Sequence, residues 1–233
     1  MSTAAAAPPR VMLIHAVAEA VAPIHAAFAS GLPAARIYDL MDTSLSADHA
    51  AAGGVLTGRM IERFRTLGRY AAAAGPDGRL ADAILFTCSA FGGAIDAVRR
   101  ELAIPVLKPN EAAFERALDA GPRIGILVTF APSLPALTAE LEHMAKARGL
   151  APTIVGEVAT GGMEALRAGR PDEHDRLVAE AARRLPPVDA IVIGQFSAAR
   201  AASAVAAVRQ GLILTTPESA VGKLRATLRG RGE

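Results

Sequence analysis

A lone cysteine, Cys88, sits in a Thr-Cys-Ser triplet after the apolar run Ala83-Ile-Leu-Phe86 and before a segment with helical spacing. A thiol placed there faces unpaired backbone N–H groups and the positive end of a helix, which favour thiolate by about 0.3–1 kcal/mol. That tunes the thiol without making it a strong base. The hydroxyls and N–H groups of Thr87 and Ser89 could hold a carboxylate, and would hold it harder as charge develops on it, at about 3 kcal/mol per preorganised donor. A free cysteine also serves as a small buried hydrophobe, so both readings stand at this point.

The same words recur later in the chain. Asp82-Ala-Ile-Leu-Phe-Thr-Cys88-Ser and Asp189-Ala-Ile-Val-Ile-Gly-Gln195-Phe align, and the alignment sets Gln195 against Cys88. An amide donates and accepts hydrogen bonds but does not exchange protons as a general acid near neutral pH. Arg123-Ile-Gly-Ile-Leu-Val-Thr129 likewise resembles Arg10-Val-Met-Leu-Ile-His15, and Thr216-Pro217-Glu218 echoes Lys108-Pro109-Asn110. A repeat of about 110 residues is too long for a solenoid unit and suits two similar lobes.

Positioning such residues takes a regular alternation of strands and helices, the pattern of an α/β fold with parallel sheets flanked by helices. Strands are expected at Val11–Ile14, Arg36–Leu40, Ala83–Phe86, Pro105–Leu107, Arg123–Thr129, Thr153–Val158, Ile191–Ile193 and Leu212–Leu214. Helical faces follow from Ile24 and Phe28, from Ile61, Phe64, Leu67 and Ala71, from Ile95, Val98 and Leu102, and from Leu134, Leu137, Leu141 and Met144. Asn110 is a plausible cap for the helix carrying Phe114 and Leu118. Asp42-Thr-Ser-Leu-Ser46 reads as a polar loop able to reach a site. The expected division is a first lobe over 10–110 plus 211–233, a second over 111–210, and a flexible tail at 1–9. Ligands of open parallel sheets collect beyond the carboxyl ends of the strands, so His15, Thr87 to Ser89, Thr129 and Gln195 to Ser197 should face a common cleft.

Composition narrows the function. The 233 residues carry 25 basic and 23 acidic side chains, and the slight excess lies partly in the Arg225, Arg229, Arg231 tail rather than on a stripe with interleaved aromatics, so no nucleic-acid partner is expected. No apolar stretch reaches the roughly 18 residues of a membrane span. One cysteine excludes an internal disulfide and points to a reducing compartment, which gives a cytoplasmic expectation. Five scattered histidines show no ligand spacing, so no metal is expected. Phosphate-binding glycine loops and the serine-hydrolase elbow are absent. No cofactor is expected.

Taken together, Thr87-Cys88-Ser89, its echo Ile193-Gly-Gln-Phe-Ser197, Asp42-Thr-Ser-Leu45, Pro105-Val-Leu-Lys-Pro109 and His174-Asp175 resemble the aspartate/glutamate racemase superfamily, which includes arylmalonate decarboxylase-like proteins. The resemblance runs over nearly the whole chain. It implies two pseudo-symmetric Rossmann-like lobes, a homodimer, and a cofactor-independent reaction at a carbon next to a carboxylate. In such proteins a cysteine from each lobe flanks the substrate. By resemblance Cys88 is the first-lobe thiol, and Ser44, Thr87, Ser89 and Thr129 contact the carboxylate. Gln195 departs from the pattern and rules out a two-thiol mechanism. His15 or Ser197 could supply a second proton, though His15 at a strand mouth is more often a structural residue bonded to a neighbouring loop, and Phe91, Phe130 and Phe196 line an apolar pocket or, more often for such residues, fill the core. The expected function is a racemase or isomerase acting on a small carboxylate. A one-thiol decarboxylase and a non-catalytic carboxylate-binding protein remain as alternatives.

Overall fold

The computed structural model describes residues 7–76 and 80–230. Most of the tail expected at 1–9, Asp77 and Gly78 of the turn after the first long helix, and Arg231 lie outside them. Among the described residues no helix is long and apolar enough to cross a membrane.

Continuous apolar runs make strands that are buried on both faces, as parallel sheets require. The first sheet has the order β2-β1-β3-β4, from β1 (Arg10–His15), β2 (Arg36–Met41), β3 (Ala83–Phe86) and β4 (Val106–Leu107). The second repeats it as β6-β5-β7-β8, from β5 (Arg123–Val128), β6 (Thr153–Val158), β7 (Ala190–Ile193) and β8 (Leu212–Thr215). Every pairing is parallel. The repeat is visible in single bonds. Asp82 accepts the Arg10 N–H through its carboxylate at 2.6 Å, and Asp189 accepts the Arg123 N–H at 2.9 Å.

Between the strands run α1 (Val21–Gly31), α2 (Ser44–Ala51), α3 (Gly58–Ala73), α4 (Gly92–Glu101), α5 (Glu111–Ala120), α6 (Ser133–Ala147), α7 (Gly162–Arg167), α8 (Pro171–Arg184), α9 (Ala202–Ala206) and α10 (Thr216–Arg229). The segment expected as a loop over Asp42–Ser46 is helical from Ser44 onward. Asn110 stands at the N-terminus of α5, but its side chain makes no cap bond.

Each sheet is sandwiched. One face of the first packs Met12, Ile14, Ile84 and Phe86 against α2, α3 and α4 through Leu45, Phe64 and Ile95. Its other face packs Val11, Leu13 and Leu85 against Ile24 and Phe28 of α1 and Val221 and Leu224 of α10. The second sheet packs Ile124, Ile126 and Val192 against Phe114 of α5 and Leu137 and Leu141 of α6. Its remaining face packs Leu127, Ile191 and Ile193 against Val178 and Ala181 of α8 and Val205 of α9. Each such fully buried side chain is worth about 1.5–3 kcal/mol.

The helix after each fourth strand crosses over. β4 ends in the first sheet and α5 covers the second, while β8 pairs with β7 in the second sheet and α10 covers the first. Of the segment expected as part of the first lobe from 211 onward, β8 therefore belongs to the second sheet and α10 to the first.

Candidate active site

The repeat makes Cys88 and Gln195 geometric equivalents. Each follows the end of a central strand in extended conformation and opens a 3-10 turn, Ser89–Phe91 in the first lobe and Phe196–Ala201 in the second. The backbone bonds match too: Thr87 N–H donates to Ile14 at 3.0 Å, and Gly194 N–H donates to Leu127 at 2.8 Å. The turn after Cys88 packs on α6 of the other lobe, and the turn after Gln195 packs on α1. Both residues thus stand at the boundary between lobes, beyond the carboxyl ends of their strands.

Cys88 is half-buried and free, and it packs against the core on the α2–α4 side of the first sheet. Burial pushes its thiol up to about 11, although the N–H groups of Ala90 and Ser89 and the Ser46 hydroxyl favour thiolate. The resting sulfur therefore carries its proton at neutral pH.

Behind it runs a buried chain. His15 is 0% exposed; its Nδ1 meets Thr87 Oγ1 at 2.8 Å and its Nε2 meets Asp39 Oδ1 at 2.9 Å. Burial lowers the His15 pKa in spite of Asp39. An ionised carboxylate only accepts, so Nε2 carries the proton and, in the neutral ring, Nδ1 accepts from Thr87. His15 therefore orients Thr87 from behind, with both nitrogens engaged and no exposed surface to offer a substrate.

Across the boundary, the Gln195 side-chain oxygen accepts from the Thr129 N–H at 2.6 Å, the Thr129 hydroxyl at 3.0 Å and the Phe130 N–H at 3.3 Å. That consumes the acceptor. The amide nitrogen makes no protein hydrogen bond among the described residues, so two donors are left for a ligand.

The remaining candidates scatter. Ser44 is exposed, bonded to Asp42 and Arg63, and lines a separate cavity of about 500 Å³ with Arg59 and Arg63. Ser46, two residues on, is the hydroxyl that reaches the thiol, and it also donates to the Ala16 carbonyl at 3.0 Å. Ser89 is half-buried beside the thiol. Ser197 lines a different cavity, away from both Cys88 and Gln195. Phe196 is core, packed with Val11, Ile24 and Phe28, and Phe91 packs on Phe64. Phe130 is 44% exposed next to Gln195. Sequence reasoning missed Asp39 and the role of Ser46; an acidic residue in β2 directly beside Leu13 in register was the available signal. No group of three metal-ligating side chains gathers among the described residues.

Two parallel α/β lobes, with a thiol at one strand mouth and an amide at its counterpart, define a two-lobed α/β protein. The chain belongs to the Asp/Glu/Hydantoin racemase family, a family of isomerase-type enzymes, whose model matches residues 14–208. No curated relative matches the sequence at a significant level. Solved structures share its fold. Glutamate racemase from Bacillus anthracis is 12% identical with a TM-score of 0.71, over 96% of this chain and 83% of that one. Allantoin racemase from Pseudomonas fluorescens is 16% identical with a TM-score of 0.67, over 95% and 92%. The aspartate racemase of Picrophilus torridus is 11% identical with a TM-score of 0.67, over 95% and 94%. At these identities the likeness is one of fold.

Proposed function

We propose that this protein is a cofactor-independent, cysteine-dependent enzyme of racemase type that moves protons at the carbon next to a carboxylate of a small acid. Cys88 is its catalytic residue. The observation that supports this reading is the placement of the one thiol at a strand mouth, with two backbone N–H groups and the Ser46 hydroxyl turned toward its sulfur. Those donors stabilise the thiolate formed when the sulfur gives up its proton. The Gln195 amide and the Ser89 hydroxyl hold the carboxylate, and their bonds strengthen as an enediolate develops. In racemisation the thiolate form of Cys88 takes the proton from carbon. Water on the Gln195 side returns one to the opposite face, because the amide has no proton to exchange.

A second reading has a specific observation in its favour. The sulfur rests protonated and its counterpart in the repeat is an amide, so the two strand mouths carry one acid between them. Loss of carbon dioxide from a malonate-like acid generates the enediolate without a base, and one thiol proton then completes the product. Phe130, exposed beside Gln195, suits an apolar substituent on such an acid.

One experiment separates these readings. The protein is incubated in heavy water with aspartate, glutamate, and alkyl- and arylmalonates, and followed by NMR. Deuterium at the alpha carbon with every carboxylate retained marks racemisation; release of carbon dioxide marks decarboxylation. Cys88→Ala should abolish either while the fold persists. Full activity in that variant overturns the assignment, and saturable binding without turnover identifies a carboxylate-binding protein.

A further inference from the structure

The repeat gives the molecule two matching contacts between lobes, and they are built of opposite materials. The turn after Gln195 packs on α1, and the turn after Cys88 packs on α6. At the first contact Phe196 is buried and its ring joins the core of the other lobe, with Ile24, Phe28 and Val221. At the second, Phe91 stays in its own lobe against Phe64, and charge crosses the boundary instead.

Lys108, just after β4, lies 3.2 Å from Glu140 of α6 and 3.3 Å from Asp96 of α4. The Lys108 and Glu140 side chains are only 12% and 11% exposed. Glu140 Oε2 stands 3.8 Å from where a Cβ on Gly92, the first residue of α4, would lie. The ion pair thus joins the second lobe to the helix that follows the Cys88 turn. In the counterpart contact, Ile24, Ala27 and Phe28 stand in α1 as Leu137, Glu140 and Leu141 do in α6, which sets Ala27 against Glu140. The match of Pro217 to Pro109 sets Thr216 against Lys108. A methyl group and a hydroxyl take the place of the ions.

The charged contact is poorly satisfied. Glu140 Oε1 and both side-chain polar atoms of Asn110, which is fully buried, have no hydrogen-bond partner among the described residues. Lys108 donates to Asp96, so it compensates Glu140 only in part. Burial raises the Glu140 carboxyl above its ordinary range in spite of Lys108, and the charge of Glu111 raises it further. Glu111 is buried as well, but Arg99 at 2.8 Å and Lys223 at 3.6 Å hold it. On α6 itself, His143 stands one turn away and is exposed.

An incompletely compensated buried ion weakens the contact that buries it, whereas a buried aromatic ring strengthens one. Water entering at the Cys88 side would hydrate the Glu140 carboxylate and give Asn110 its missing partners.

We infer that the lobes part at the Cys88 side and hinge at the Phe196 side, and that the buried charge of Glu140 favours the opening. The inference rests on the catalytic reading of Cys88 only in making this opening the entrance to the active site. Its sign follows from burial. A carboxyl whose pKa is raised where it is packed, and ordinary where it is hydrated, favours the packed arrangement while protonated and the hydrated one once ionised. As pH rises through the raised value the boundary should loosen, and above it the loosening should stop growing.

The test is amide hydrogen exchange of the full chain, followed by mass spectrometry and corrected for the intrinsic pH dependence of exchange. Residues 89–95 should exchange several-fold faster at pH 8 than at pH 5, while residues 196–202 stay level. Glu140→Gln keeps the shape and removes the charge, so 89–95 should exchange at the slow rate at both pH values. Iodoacetamide alkylation of Cys88 in that variant should slow by the same factor at pH 8. Lys108→Gln leaves Glu140 uncompensated and should widen the difference between the two pH values. Equal pH dependence in both segments, or none in 89–95, overturns the inference, as does a Glu140→Gln protein that keeps the difference. A variant whose thermal melt is not cooperative is not read, and the two segments of the unaltered protein then decide. None of these measurements needs turnover: if Cys88→Ala keeps full activity the catalytic assignment falls, and exchange still decides the opening.

Discussion

Gln195 is tied to Thr129 through both the backbone N–H and the hydroxyl of that threonine, so its amide has one orientation: oxygen toward its own lobe, nitrogen outward. The repeat counterpart of Cys88 is therefore a brace for the β5 loop. Gln195→Ala leaves the Thr129 and Phe130 N–H groups without their acceptor and should cost about 1–3 kcal/mol in urea unfolding. Gln195→Glu keeps the acceptor and should lose less stability, while its negative charge raises KM for a carboxylate substrate.

The Cys88 thiol, pushed up to about 11 by burial, sets a pH dependence for its chemistry. Below that value each added pH unit multiplies the thiolate fraction about tenfold, so iodoacetamide alkylation should climb steadily between pH 7 and pH 10. Ser46→Ala removes a bond that favours thiolate and should slow alkylation at every pH. A rate that levels off below pH 9 would contradict this placement of the sulfur. The same curve separates the two reactions, because kcat/KM rises with pH where the thiolate is the base and is flat where the thiol is the acid.

His15 gives the fold its own response to acid. Burial lowers its pKa, so below about 6.5 the unfolded chain takes up a proton that the folded chain refuses. Stability should fall as the pH drops from 7 toward 5, by at most about 1.4 kcal/mol per pH unit for this one group. Asp39 acts at lower pH. Burial opposes its charge, but hydrogen bonds from His25 and His15 outweigh that and hold its carboxyl below the ordinary range. Its contribution is present above the usual carboxylate pKa and is lost as pH falls through the depressed one. His15→Asn should flatten the slope between pH 7 and pH 5 in urea titrations.

Helices α3 and α4 touch at Gly68, where an added Cβ would stand 2.4 Å from Val98 Cγ1. Gly68→Ala should destabilise by about 1–3 kcal/mol through overpacking. Val98→Ala in the same chain should recover part of that loss, and a double-mutant cycle by thermal melting would show the coupling.

Much of this architecture was legible because parallel strands announce themselves. Runs such as Ile191-Val-Ile193 have no other home than a doubly covered sheet, and the Asp82 and Asp189 repeat carries its register with it. Ser44 and Ser46 were harder. Their segment has one apolar residue, Leu45, so its helical period is too weak to show that the two hydroxyls lie on different sides of α2. Phe196 follows Gln195 immediately and reads as a site residue, yet its ring joins the α1 and α10 core across the lobe boundary. No local pattern reports a contact made between lobes. His15 was placed at its strand mouth, but its partner Asp39 lies on a neighbouring strand, which pairing reveals and sequence order hides.

The crossover of α5 and α10 bears on biosynthesis. When the ribosome has finished β4, the face built from Val11, Leu13 and Leu85 still lacks Val221 and Leu224, which belong to α10, four strands further along the chain. The first half of the nascent chain must wait with that greasy surface open until α10 has been made. A fragment ending after β4 would lack α10, the cover of that face, and a fragment beginning at α5 would carry α10 with no such face to cover, so the two halves of this repeat can no longer be parted.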